Sequence, residues 1–113
     1  MKYAVLFFFS IILSGCKPSE SDLIKMGEES MRAEVTNPES AVFSSWLIPA
    51  SEGFVVCGFV SHKGYDGTPV DPYRYMVYLY PIGDGEYRAN RGSALKKDKD
   101  IKETFPIVCK RNS

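Results

Sequence analysis

Residues 54–61, FVVCGFVS, constrain the fold more than any other stretch of this chain. In an extended run, Phe54, Val56 and Val60 fall on one face and Val55, Cys57 and Phe59 on the other. Such a strand cannot leave one side to water, so it belongs in the middle of a sheet with a cover on each face. With 113 residues there is room for one domain, and that domain has to supply both covers.

One cover is legible. In SESDLIKMGEESMRAEVTNP, Ser19 with Asp22 three residues on reads as a capping-box start. Leu23, Ile24, Gly27, Met31 and Val35 then share a helical face, with Lys25, Glu28, Glu29 and Arg32 pointing elsewhere. Asn37-Pro38 predicts the stop, because a residue before proline avoids the helical region. Pro38 next predicts a short helical turn, with Ala41, Val42 and Phe43 tucked into the core behind it. A short strand is expected from Trp46 and a turn from Pro49 to Gly53. The central strand over 54–61 follows. Residues 63–73, KGYDGTPVDPY, hold two glycines, two prolines and two aspartates and read as a loop. RYMVYLYPI is a strand by its β-branched and aromatic content, GDG a hairpin turn, and EYRA the returning strand. KKDKDIK reads as a charged surface loop or the start of a helical turn. The expected class is α+β: an N-terminal helix packed on an antiparallel sheet of three to five strands.

The start of the chain has a different character. After Lys2, Tyr3–Leu13 is an apolar run of eleven residues, and a stable bilayer crossing takes about twenty. Ser14, Gly15 and Cys16 follow. The segment Leu13-Ser14-Gly15-Cys16 resembles the lipobox of bacterial lipoproteins. That resemblance implies a signal peptide at 1–15, diacylglycerol on the Cys16 sulfur, cleavage before it and acylation of the new amino group. Each buried methylene adds about 0.8 kcal/mol, so several acyl chains hold firmly. It also implies an outer-membrane address, since Lys17 stands where lipoproteins kept at the inner membrane tend to carry Asp. Residues 16–21 would be a lipidated tether and 22–113 the domain, close to the bilayer in the periplasm. Removing residues 1–15 takes away Lys2 alone, leaving 13 basic against 14 acidic side chains. That balance lacks the basic footprint of a nucleic-acid binder.

Export would deliver Cys57 and Cys109 to an oxidising compartment, where one intramolecular bridge is open to them; a free redox thiol or an intermolecular bridge are the alternatives. The spacing is not Cys-x-x-Cys. A bridge would pin the C-terminal segment to the central strand and stabilise the fold by roughly 4 kcal/mol.

A second resemblance lies in Asn37, Pro38, Ser40, Ala41 and Phe43 followed by Val56, Cys57 and Gly58. This looks like a group of small exported bacterial proteins of unknown function, with an Asx-Pro-x-Ser-Ala-x-Phe turn ahead of a Val-Cys-Gly strand. That group continues with Asn-x-Lys-Asn and a Gly-Gly-Tyr loop, which this chain replaces with HKGYDGTPVDPY. The resemblance supports the fold and implies no activity.

Reactive groups are sparse. His62 stands alone, without the partners a metal site or catalytic base needs, and reads as an exposed loop residue. Asp66, Asp71 and Asp84 sit in turns where aspartate serves the backbone. Neither GYDGTP nor GDG has the lysine of a phosphate loop. No metal or other cofactor is expected. Tyrosine density is the one suggestive feature, because the ring joins a large apolar face to a polar tip, as binding surfaces favour. Tyr65, Asp66, Tyr73, Arg74, Tyr78 and Tyr80 are therefore the candidate binding surface, for an envelope protein or a glycan. The expected function is a membrane-anchored binding or envelope-structural module without catalysis. The alternatives are an immunity or inhibitor lipoprotein and, more remotely, a hydrolase using the loop carboxylates.

Overall fold

The computed structural model describes residues 18–111. The signal peptide expected at 1–15, the lipidation site expected at Cys16 and its neighbour Lys17 lie outside the described residues. The elements run α1 (Glu20–Arg32), a 3₁₀ turn (Pro38–Ser40), β1 (Val42–Pro49), β2 (Phe54–Ser61), β3 (Tyr73–Gly83), β4 (Glu86–Ala89) and β5 (Ser93–Leu95). A π-helical turn (Asp100–Thr104) then leads into a single turn of α-helix, α2 (Phe105–Val108). The antiparallel sheet has the order β1-β2-β3-β4, and β5 continues along the same edge of β3 as β4. The expected class is the one observed: an N-terminal helix on a small antiparallel sheet, with one disulfide.

The capping box forms as the sequence predicts. Asp22 N–H donates to Ser19 Oγ and Ser19 N–H to Asp22 Oδ2, each at 3.1 Å. Because Ser19 is the cap, Glu20 and Ser21 are already helical, so the helix starts within the 16–21 stretch that the sequence pattern assigns to a tether. The helix also ends sooner than Asn37. After Arg32 the chain tightens, Glu34 N–H reaching Met31 O and Val35 N–H reaching Arg32 O, which keeps Val35 buried without another α-helical turn. Leu23, Gly27, Met31 and Val35 bury against β2 and β3, and Ile24 is half-buried on the flank. Gly27 is required there, since an added Cβ would lie 2.5–2.6 Å from Val56 side-chain carbons.

β1 begins at Val42, four residues before the expected Trp46. Ala41, Val42 and Phe43 thus do not form an apolar helical turn: Phe43 packs on the core edge, while Val42 is exposed. Alternation in an extended strand sends the two neighbours to opposite sides, which a helical turn would not.

β2 meets the demand of its sequence. Val56 and Val60, with Tyr75, Val77 and Leu79 of β3, face α1. Cys57 and Val55 face a second core with Phe105, Cys109, Leu95, Trp46 and Ile48. The second cover is therefore the C-terminal segment, bonded through Cys57–Cys109 with S–S 2.04 Å and Cα atoms 5.8 Å apart. Trp46 reinforces it, with Nε1–H donating to Cys109 O at 2.8 Å. Pro106 has no N–H to give the preceding turn and its ring crowds the carbonyl four residues back. A widened π turn ahead of it relieves that conflict. Residues 98–108 thus follow the helical alternative for KKDKDIK.

Candidate functional site

The domain has two distinct ends. One gathers the start of α1, the β1–β2 turn and the β3–β4 hairpin, with Pro18, Leu23, Phe54, Gly85 and Tyr87 around one hollow. The other gathers the end of α1, the 3₁₀ turn and the β2–β3 connection. The six candidate residues divide between them.

Residues 62–72 form a loop held by its own backbone. Gly64 N–H donates to Thr68 O at 2.8 Å, Gly67 N–H to Gly64 O at 3.0 Å and Val70 N–H to His62 O at 2.8 Å. Asp66 Oδ1 accepts from Thr68 N–H at 3.0 Å and from Thr68 Oγ1 at 2.6 Å. Those two bonds, the side-chain one foremost, hold the Asp66 carboxyl below the usual aspartate range. The carboxylate is committed to the turn. Tyr65, at the loop tip, is 97% exposed.

The loop is also gripped at its base. Asn37, in the left-handed region at φ 50°, donates from its side-chain amide to Lys63 O and Gly64 O. Ser40 Oγ donates to Asn37 O at 2.6 Å and accepts from Lys63 N–H at 2.9 Å. Asparagine tolerates the left-handed region better than other side chains, which lets it turn its amide across to the loop. In the sequence, Asn37-Pro38 marks a helix stop and the start of an Asx-Pro turn, with no partner given for the amide. An asparagine before proline was a visible turn signal, but the partner lies 26 residues away and is decided by the fold.

His62 is half-buried, not the exposed loop residue expected. Its Nε2 lies 2.8 Å from Tyr73 Oη and its Nδ1 2.9 Å from Lys63 O, and the two rings meet edge to face. Burial raises the Tyr73 phenol above its ordinary pKa. Lys96 Nζ sits 4.5 Å from the Tyr73 ring centroid. A groove of about 390 Å³ opens here between His62, Lys63, Val70, Asp71 and Ser40.

Arg74, Tyr78 and Tyr80 point to the opposite face of β3 from Tyr73. Arg74 lies over Phe59 and Phe105, 5.3 and 5.5 Å from their centroids, roofing the disulfide-side core. Tyr78 Oη donates to Glu52 O at 2.6 Å and its ring stacks beside Tyr80 at 6.2 Å. At about 3.3 Å per residue, Tyr80 stands roughly 23 Å along β3 from Tyr73. The structure thus joins Tyr65, Asp66 and Tyr73 at the loop end and Tyr78 with Tyr80 further along; the six are not one patch.

Asp71 is exposed beside the groove, and Asp84, at φ 56°, forms the β3–β4 turn at the opposite end. Among the described residues, no three His, Cys, Asp or Glu side chains are grouped to hold a metal ion. The arrangement at the loop end can present an exposed aromatic ring on a braced loop whose base lines an open, mainly apolar groove. No protein-family model matches the chain, and comparison with curated proteins and with solved structures returns no match either.

Proposed function

We propose that this chain is an exported lipoprotein, anchored to the outer membrane through an acylated Cys16, whose domain works by binding a partner at the braced loop. The observation that carries the reading is Tyr65: almost fully exposed, yet on a loop fixed by five backbone and side-chain contacts of its own and by Asn37 and Ser40. A large apolar ring held in water costs solvation and gains nothing within the fold. A partner that buries it gains area without having to order the loop first. The lipobox-like start supports the anchor, and the roles of Asp66 and Asp84 in their turns favour binding over hydrolysis.

The same braced loop favours an inhibitor or immunity protein as the second reading, because inhibitor complexes typically form between pre-organised surfaces that move little on binding. Fixing the domain to a membrane would raise its effective concentration near an envelope target.

Two measurements test the proposal. Radiolabelled fatty acid should enter the wild type and not Cys16→Ser, and the wild type alone should sediment with outer membranes. A photo-crosslinking residue at position 65 should then capture one defined envelope partner, with capture lost on Asn37→Ala/Ser40→Ala, which loosens the brace. Unlabelled wild type refutes the anchor; equal capture from position 65 and from position 88 on the far strand refutes the loop.

A further inference from the structure

We infer that the domain stands on end, with the β3–β4 hairpin tip (Pro81–Glu86) and the start of α1 resting on zwitterionic lipid headgroups and Ile82 entering the interface. The inference rests on acylation of Cys16 and adds to it the face the protein turns to the bilayer.

The first ground is reach. Cys16 precedes Pro18 by two residues, at most about 7 Å of extended chain. Pro18 is packed at the hairpin end, beside Leu23, Phe54, Gly85 and Tyr87. An acyl group on Cys16 therefore brings that end, and no other, within contact of the headgroups.

The second ground is what the end presents. Ile82 is 43% exposed at the hairpin tip, where Gly83, Asp84 and Gly85 all take positive φ and make a tight, projecting turn. Tyr80 and Tyr87 flank it, half-buried, each an apolar ring with a polar tip of the kind that settles at a membrane–water boundary. A hollow of about 260 Å³ lined by Leu23, Phe54 and Tyr87 opens at the same end, on the α1 face.

The third ground is charge. Glu20, Asp22, Glu52, Asp84 and Glu86 lie at this end and outnumber Arg88, opposite Tyr80, and Lys17, one residue before Pro18, so an anionic surface is disfavoured relative to a zwitterionic one. β3, with eleven residues, then rises roughly 33 Å from the contact and carries the braced loop and Tyr65 well clear of the lipid.

The test uses the lipidated protein purified from cells and reconstituted into phosphatidylcholine vesicles containing a headgroup-linked quencher. A fluorophore is placed on Ile82→Cys in one sample and on Tyr65→Cys in another. Quenching at position 82 should exceed that at position 65 several-fold and should fall when phosphatidylglycerol replaces part of the phosphatidylcholine. Equal quenching at both positions, or stronger quenching at 65, overturns the orientation; no fall with phosphatidylglycerol overturns the headgroup preference. Flotation separates the two levels of failure. Protein that fails to float with vesicles refutes the anchor and this inference together, whereas protein that floats with position 82 unquenched refutes the orientation alone.

Discussion

Breaking Cys57–Cys109 should detach the second cover of the sheet and leave the first in place. The bridge closes a loop across a sequence separation of 52 residues. The chain-entropy relation assigns that loop about 14 cal/mol/K, or about 4 kcal/mol at 25 °C. Small domains are stable by only about 5–15 kcal/mol, so the loss is a large share. The structure says where it falls first. The C-terminal segment is held by the bridge, by Phe105 at 8% exposure, by the Trp46 indole on Cys109 O and by Arg111, whose guanidinium lies 4.3 Å from the Trp46 centroid. Trp46 is the only tryptophan, so its emission reports on this layer alone. In Cys57→Ala/Cys109→Ala, urea unfolding followed by far-ultraviolet circular dichroism should show a loss of about 4 kcal/mol. Trp46 emission should shift to the red at lower urea than the sheet signal falls. Wild-type protein unfolded with the bridge reduced gives the same comparison without deleted sulfur atoms. A loss under about 1 kcal/mol with the two probes still coincident would refute the view that the bridge is what keeps the second cover docked.

Three further outcomes are expected. Gly27→Ala places a methyl against Val56; overpacking of about 1–3 kcal/mol outweighs a helix-propensity gain of about 1 kcal/mol, so the urea midpoint should fall, and a rise would show that α1 can shift freely. Tyr75 is fully buried, its hydroxyl shared with Ser45 near Glu28, and burial pushes its phenol up to about 12. Because the folded value lies above the unfolded one of about 10, this contribution is complete below about pH 10 and disappears as pH rises towards 12. Tyr75→Phe should therefore lose stability less steeply over that interval, as measured by urea unfolding at each pH, and an identical slope refutes the linkage. Asn37→Ala should speed amide exchange at Gly64 and Gly67 several-fold while costing about 1–2 kcal/mol globally, and unchanged exchange would mean that the loop braces itself.

Local signals in the chain were enough for the helix start, the loop chemistry and the central place of residues 54–61. Capping, proline restriction and alternation act over a few residues and leave their mark in the order of side chains. Alternation along β3 sends Tyr73 and Tyr75 to one face and Tyr78 and Tyr80 to the other, but only the fold shows that this divides the tyrosines into separate surfaces. β1 is longer than the strand predicted from Trp46 because Ser44 and Ser45 carry no strand signal of their own, whereas in the fold Ser45 Oγ donates to Glu28 Oε2 at 2.7 Å and lies beside the Tyr75 hydroxyl.

What residue order determined by itself was the need for two covers on β2, one of them α1, and the presence of two cysteines able to meet. Only the tertiary structure decided that the second cover is the C-terminal turn, that Asn37 and Ser40 reach across to grip the Lys63–Gly64 backbone, and that Pro18 emerges at the opposite end from Tyr65. Such pairings join groups far apart in sequence. Their energies depend on distance in space, which no local pattern of side chains encodes.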